Sequence, residues 1–149
     1  MVYTYDDPLV PYSKGKLTKV WRLVGDPEVE VDSDRILEYD MMQNVARGRK
    51  VIGTGTVDVE HTYDSAGRVL TLKYLAGHGF ATDKAYSYDY DGAGNIKYLK
   101  DNGAGTDLVE YTGYNAIGQP QYATFPKPGG TQVRTAYGYY PDQEASIHS

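Results

Sequence analysis

The heptad Tyr63-Asp64-Ser65-Ala66-Gly67-Arg68-Val69 reads as a tight turn between two strands. Asp64 suits the first position of a type I turn, where its carboxylate accepts from a backbone N–H two residues on. Gly67 suits the left-handed position that closes such a turn and restarts the strand as a bulge. Ahead of the turn, Val57, Val59, His61 and Tyr63 share one strand face, with Asp58, Glu60 and Thr62 on the other. After it, Val69 and Leu70 are adjacent, then Leu72 and Tyr74 follow at period two, which completes a hairpin signature.

The heptad recurs. Tyr90-Asp91-Gly92-Ala93-Gly94-Asn95-Ile96 repeats it, and Tyr114-Asn115-Ala116-Ile117-Gly118-Gln119 repeats it with Asn for Asp. Tyr39-Asp40-Met41-Met42-Gln43-Asn44-Val45 is a weaker copy with Gln where Gly is expected. Tyr5-Asp6 is followed by a longer segment before Gly15-Lys16-Leu17, so its turn carries an insertion. Tyr137-Gly138-Tyr139-Tyr140-Pro141-Asp142 looks like the start of a further copy. The key tyrosines stand at 39, 63, 90, 114 and 139, a period of about two dozen residues, within the range of arrays and solenoids. Between the hairpins lie second turns at Ala76-Gly77-His78-Gly79, Asn102-Gly103-Ala104-Gly105 and Pro126-Lys127-Pro128-Gly129-Gly130. Each period is therefore two strands and two turns. The predicted fold is all-β: antiparallel hairpin repeats in a meander or solenoid, one segment over 1–149 with about five to six repeats. The best helix candidate, residues 35–46, contains Tyr39-Asp40 in register and reads as strand, turn, strand.

Composition agrees with this reading. Among 149 residues there are 16 Tyr against 2 Phe and 1 Trp, and 17 Gly. Tyrosine suits a half-buried pleated surface, and dispersed glycine suits many turns. The net charge is -5 and the sequence pI about 5.1, whereas a nucleic-acid binder would carry a basic stripe. The basic cluster Arg47, Arg49 and Lys50 reads as a solvated edge. With no cysteine, disulfide scaffolds, thiolate nucleophiles and Cys-based zinc sites are excluded. No apolar run approaches the ~20 residues of a membrane span. The first residues, Met1-Val2-Tyr3-Thr4-Tyr5-Asp6-Asp7, have neither a basic nor an apolar leader region. They read as a start inside a longer protein.

At these heptads the sequence resembles the Rhs/YD-repeat family, whose unit is similar to Tyr-Asp-x-x-Gly-Arg/Asn followed by a hydrophobic strand. The motif residues that carry the resemblance are Tyr39, Asp40, Tyr63, Asp64, Gly67, Arg68, Tyr90, Asp91, Gly94, Asn95, Tyr114, Asn115 and Gly118. It extends over residues 3–142 and is poorest from Trp21 to Ser33. It implies a fragment of a large secreted or cell-surface bacterial protein, such as an Rhs toxin, an insecticidal toxin-complex shell component or a wall-associated protein; animal teneurins carry related repeats. In that family the repeats spiral into a hollow β-shell, and in the toxins the shell holds a C-terminal effector, often freed by self-cleavage at an Asp-Pro-x-Gly segment. This chain has no such run, so neither autoproteolysis nor a toxin activity carries over. The implied partners are flanking repeats and the effector.

Chemistry-bearing constellations are few. Counted as a calcium loop from Asp89, the fifth position is Ala93 and the twelfth is Lys100, where oxygen ligands are needed. His61 stands where Tyr88 stands in the next repeat, His78 lies between glycines, and His148 is in the tail. None has a spaced partner for zinc or a nucleophile triad. Asp58, Glu60, Asp64, Asp89, Asp91 and Glu110 single out no glycosidase pair. Gly53-Thr54-Gly55 lacks the Gly-Lys-Ser/Thr of a phosphate loop. The expectation is a non-catalytic chain with no metal and no cofactor. Tyr86, Tyr88 and Tyr90 share one face, as do Tyr137 and Tyr139, and such residues should form an aromatic ladder across strands. Tyr86, Tyr88, Tyr137 and Tyr139 are the candidate ligand face of the alternative reading, a carbohydrate- or cell-surface-binding module. Open edge strands predict edge-to-edge self-association of the isolated chain.

Overall fold

A computed structural model describes residues 1–77, 80–126 and 130–139. The chain is all-β among these residues. Its strands are β1 (Val2–Tyr5), β2 (Leu17–Val24), β3 (Val29–Tyr39), β4 (Val45–Ile52), β5 (Gly55–Tyr63), β6 (Val69–Tyr74), β7 (Lys84–Tyr90), β8 (Ile96–Asp101), β9 (Thr106–Tyr114), β10 (Pro120–Phe125) and β11 (Val133–Ala136). They form one 11-stranded sheet in sequence order, and every neighbouring pair is antiparallel. The sheet is an open meander with β1 and β11 as free edges.

Because the order never departs from sequence, the tyrosine-bearing turns lie along one rim and the second turns along the other. Of the second turns foreseen above, His78, Gly79 and residues 127–129 lie outside the described residues, as do Tyr140-Pro141-Asp142 and His148. Before that gap, Gly77 and Phe80 exchange both backbone hydrogen bonds, each 2.9 Å. The Phe80 ring packs 5.9 Å from that of Tyr74.

Among the described residues no second sheet or helix covers either face. Among the described residues the buried hydrophobic ones are Tyr39, Val109 and Ala123, and no large side chain is fully buried. Cross-strand partners share a face and alternate along each strand, so register assigns the two sides. One side carries Val59, His61, Leu72, Tyr86, Tyr88, Leu99, Val109 and Ala123 through pairings such as His61 with Leu72, Leu72 with Tyr86 and Tyr88 with Leu99. The opposite side carries cross-strand polar pairs. Arg49 grips Asp58 through two hydrogen bonds of 2.6 and 2.7 Å. Tyr98 donates to Glu110 at 2.8 Å, the Thr62 and Thr71 hydroxyls meet at 2.7 Å, and Lys73 pairs with Asp83 at 2.6 Å. Without a common core, the sheet is held strand by strand, each against its immediate neighbours.

Candidate functional site: the tyrosine rim

The recurrent site is built from turn chemistry. In the third hairpin the Gly67 N–H donates to the Asp64 carbonyl at 3.0 Å, and the Asp64 N–H to the Arg68 carbonyl at 2.9 Å. Gly67 sits in the left-handed region at φ +77°, which glycine enters without a Cβ penalty. Asp64 Oδ1 accepts from the Ala66 and Arg68 N–H groups, both at 2.9 Å, and Oδ2 accepts from Arg68 Nε at 2.6 Å. Asp91 repeats this with Ala93 and Asn95, at 2.9 Å each. Asn115 repeats it with Ile117 at 3.1 Å and Gln119 at 2.9 Å. Asp40 accepts from the Asn44 N–H at 2.8 Å.

The weaker copies reach the same geometry by other means. Gln43 occupies the left-handed position at φ +68°, where Gly94 has +89° and Gly118 +77°. In the first turn the inserted residues fold back toward β3, where the Tyr39 N–H donates to the Pro11 carbonyl at 3.3 Å and Ser13 is buried, while the ends of the turn close normally: the Asp6 N–H donates to the Lys16 carbonyl at 3.1 Å, and Gly15 takes φ +75°. The strand register slips beside Tyr5, Tyr39, Tyr63 and Tyr90.

In the four turns without an insertion the first and fifth residues are complementary. Asp64 faces Arg68, Asp40 faces Asn44 at 3.0 Å, and Asp91 faces Asn95 at 3.1 Å. Where the acid becomes an amide, the direction reverses and Asn115 Nδ2 donates to Gln119 Oε1 at 2.8 Å. These contacts hold the Asp64, Asp91 and Asp40 carboxyls below the ordinary carboxylate range; the largest causes are the Arg68 backbone N–H, the Asn95 side chain and the Asn44 side chain respectively.

The tyrosines link one turn to the one before. The Tyr63 hydroxyl donates to the Val45 carbonyl at 2.8 Å, Tyr90 to Val69 at 2.7 Å, and Tyr139 to Pro120 at 2.7 Å. Tyr39 and Tyr114 do the same to Leu17 and Ile96. In every case the acceptor lies two residues past the left-handed residue: Gly15, Gln43, Gly67, Gly94 or Gly118. That carbonyl stands where the strand has left its turn and has not yet met the next strand, since pairing to the following strand begins two residues later, at Lys19, Arg47, Thr71, Tyr98 and Tyr122. The phenol supplies the donor that the neighbouring backbone does not. Burial pushes the Tyr39, Tyr63, Tyr90 and Tyr114 phenols above their ordinary value.

The stacked aromatic ladder expected from sequence is absent among the described residues. The ring pairs are His61 with Tyr63, Tyr74 with Phe80 and Tyr74 with Tyr86. Repeat tyrosines lie two strands apart, about 9.5 Å, beyond the 4.5–7 Å over which rings interact. The Arg68 guanidinium fills that interval between turns, 4.5 Å from the Tyr90 ring centroid. Of the candidate ligand face, Tyr86 leans edge-on to Tyr74, with centroids 6.4 Å apart, and Tyr88 lines a groove with Asp64, Arg68, Tyr90 and Lys97. Tyr137 and Tyr139 follow β11 and are both 40% exposed. The Tyr137 N–H donates to the Gln121 carbonyl at 2.9 Å.

Other polar candidates are engaged locally or lie apart. Asp89 pairs with Lys100, and Asp58 takes Arg49 with Arg47 3.7 Å away. His61 has no hydrogen-bond partner at Nδ1, and burial lowers its pKa. Among the described residues no three His, Asp or Glu side chains converge as metal ligands. The sequence named the rim residues; the hydroxyl-to-carbonyl link between repeats was not foreseen, because it requires the spatial order of the hairpins.

No protein-family model matches this sequence, and no curated protein matches it.

Proposed function

We propose that this chain is a non-catalytic wall segment: a YD-repeat sheet that forms part of a curved shell around, or a display surface for, the C-terminal effector of a larger secreted or cell-surface protein. One observation carries the reading: the tyrosine-to-carbonyl link recurs from Tyr39 to Tyr139 along a sheet whose described residues enclose no core. A unit that rests only on its neighbours extends without limit, which suits a wall. The test is mass measurement and electron microscopy of the protein purified from its natural source. A particle much larger than this chain, with a lumen, is expected. A native protein of these residues alone overturns the reading.

The groove between successive turns favours a second use. It places Asp64, Arg68, Tyr88, Tyr90 and Lys97 around one hollow, and aromatic faces beside polar groups suit sugar rings. Glycan-array binding that Tyr88→Ala abolishes without unfolding the chain would favour this binding module; an array without hits removes it.

A further inference from the structure

We propose that Asn102-Gly103, in the β8–β9 turn, is a self-modifying site that converts through a cyclic succinimide to aspartate and isoaspartate. It is the one Asn-Gly pair in the sequence, and both residues are exposed to water. Gly103 has no side chain to shield its nitrogen. Two neighbours address the two halves of the reaction. Ser87 Oγ donates to Asn102 Oδ1 at 2.8 Å, which draws electron density from Cγ and stabilises an oxyanion formed there. The Gly103 N–H donates to Asp101 Oδ1 at 2.9 Å, so a proton acceptor already faces the nitrogen that must attack.

The Gly103 nitrogen forms a bond to Asn102 Cγ. Its proton passes to the Asp101 carboxylate and on to the leaving Nδ2, which departs as ammonia. Water then opens the ring at either carbonyl, giving α-linked aspartate or β-linked isoaspartate. The net change is amide plus water to carboxylate plus ammonium, which adds one negative charge to the rim opposite the tyrosines.

The pair Asp91-Gly92 is the internal contrast. Asp91 Oδ1 is held by the Ala93 and Asn95 N–H groups and Oδ2 by Asn95 Nδ2. Asn95 leads the contacts that keep this carboxyl ionised below its usual range. An ionised carboxylate is a poor electrophile, so this Asp-Gly bond stays intact.

The full chain is incubated folded at neutral pH beside an unstructured peptide of residues 99–106, and both are followed by peptide mapping and isoaspartyl methylation. The folded chain is expected to react faster at Asn102 by about tenfold, the upper worth of one hydrogen bond. Ser87→Ala should bring it down to the peptide rate, Ser87→Thr should retain the faster rate, and Asp91-Gly92 should stay unchanged. A folded chain that reacts no faster than the peptide, or a Ser87→Ala variant that reacts faster than the parent, would overturn the proposal.

Discussion

The Tyr90 hydroxyl donates to the Val69 carbonyl 2.7 Å away and 21 residues earlier in the chain, while Arg68, the residue before Val69, lies over the Tyr90 ring. One side chain thus meets the preceding turn through its edge and its face together. The ring fills space between hairpins, and the hydroxyl completes a backbone ladder that would otherwise stop short.

Removing only the hydroxyl separates these roles. Tyr63→Phe should lower unfolding free energy by about 1 kcal/mol, the net worth of one hydrogen bond. Tyr5→Phe should stay within about 0.5 kcal/mol, because the Tyr5 hydroxyl has no carbonyl partner among the described residues and the residue is 58% exposed. Urea midpoints of the two variants check the pair; equal losses would remove the special role of the inter-turn bond.

The left-handed position gives opposite signs at two sites. Gln43 holds φ +68° and Gly67 φ +77°. Gln43→Gly relieves a conformation that costs an L-residue about 1–2 kcal/mol, offset in part by glycine's extra freedom when unfolded, so a gain of several tenths is expected. Gly67→Ala introduces that strain. A Cβ at 67 meets only Asn44 Oδ1, at an ordinary 3.8 Å, so the loss of about 1 kcal/mol is conformational. Thermal melts of both variants read out the difference.

Complementarity across each turn predicts an asymmetric exchange. Asp64→Asn keeps the oxygen that serves Ala66 and Arg68 but turns an amide donor toward the Arg68 guanidinium, at a cost of about 1 kcal/mol. Asn115→Asp should be nearly neutral. Gln119 now presents Oε1 to Asn115, and rotating its amide turns the Nε2 donor toward the new carboxylate instead. Chemical denaturation of the two variants distinguishes them.

Stability should fall toward both extremes of pH, and on the acid side the fall begins near 6.5, where His61, its pKa lowered by burial, takes up a proton in the unfolded chain before it does in the folded one. Lys19, with Arg35 and Ser33, holds the Glu30 carboxyl down at about 2 against 4.5, and the turn aspartates are lowered as well. A lowered folded pKa favours the ionised group, so that contribution is complete above 4.5 and is lost as pH falls through the folded values. The buried phenols are raised above 10.0. Their contribution is complete below that value and is lost as pH rises through the folded values, since a phenolate cannot donate. Unfolding midpoints across pH, with phenolate absorbance on the alkaline side, test both limbs.

The turns were legible because their physics is local. Asp64, Gly67 and the alternation of Val57, Val59, His61 and Tyr63 specify a hairpin within a few residues of chain. The Gln43 copy was recognisable from its tyrosine and aspartate, although its glycine is missing. The reach of Tyr63 to Val45 and the grip of Arg49 on Asp58 were not legible. Both depend on which strands become neighbours and by what register, and periodicity alone does not fix that.

Every inter-turn tyrosine reaches backward, to a carbonyl 18 to 22 residues nearer the N-terminus. A hairpin leaving the ribosome therefore meets a finished platform and needs nothing still to be synthesised. The loop closed at each addition stays the same size however long the array grows, so the entropic cost of closure does not rise with chain length. Assembly can keep pace with translation, one hairpin at a time, and beyond the fixed edge at β1 only the newest strand is left open.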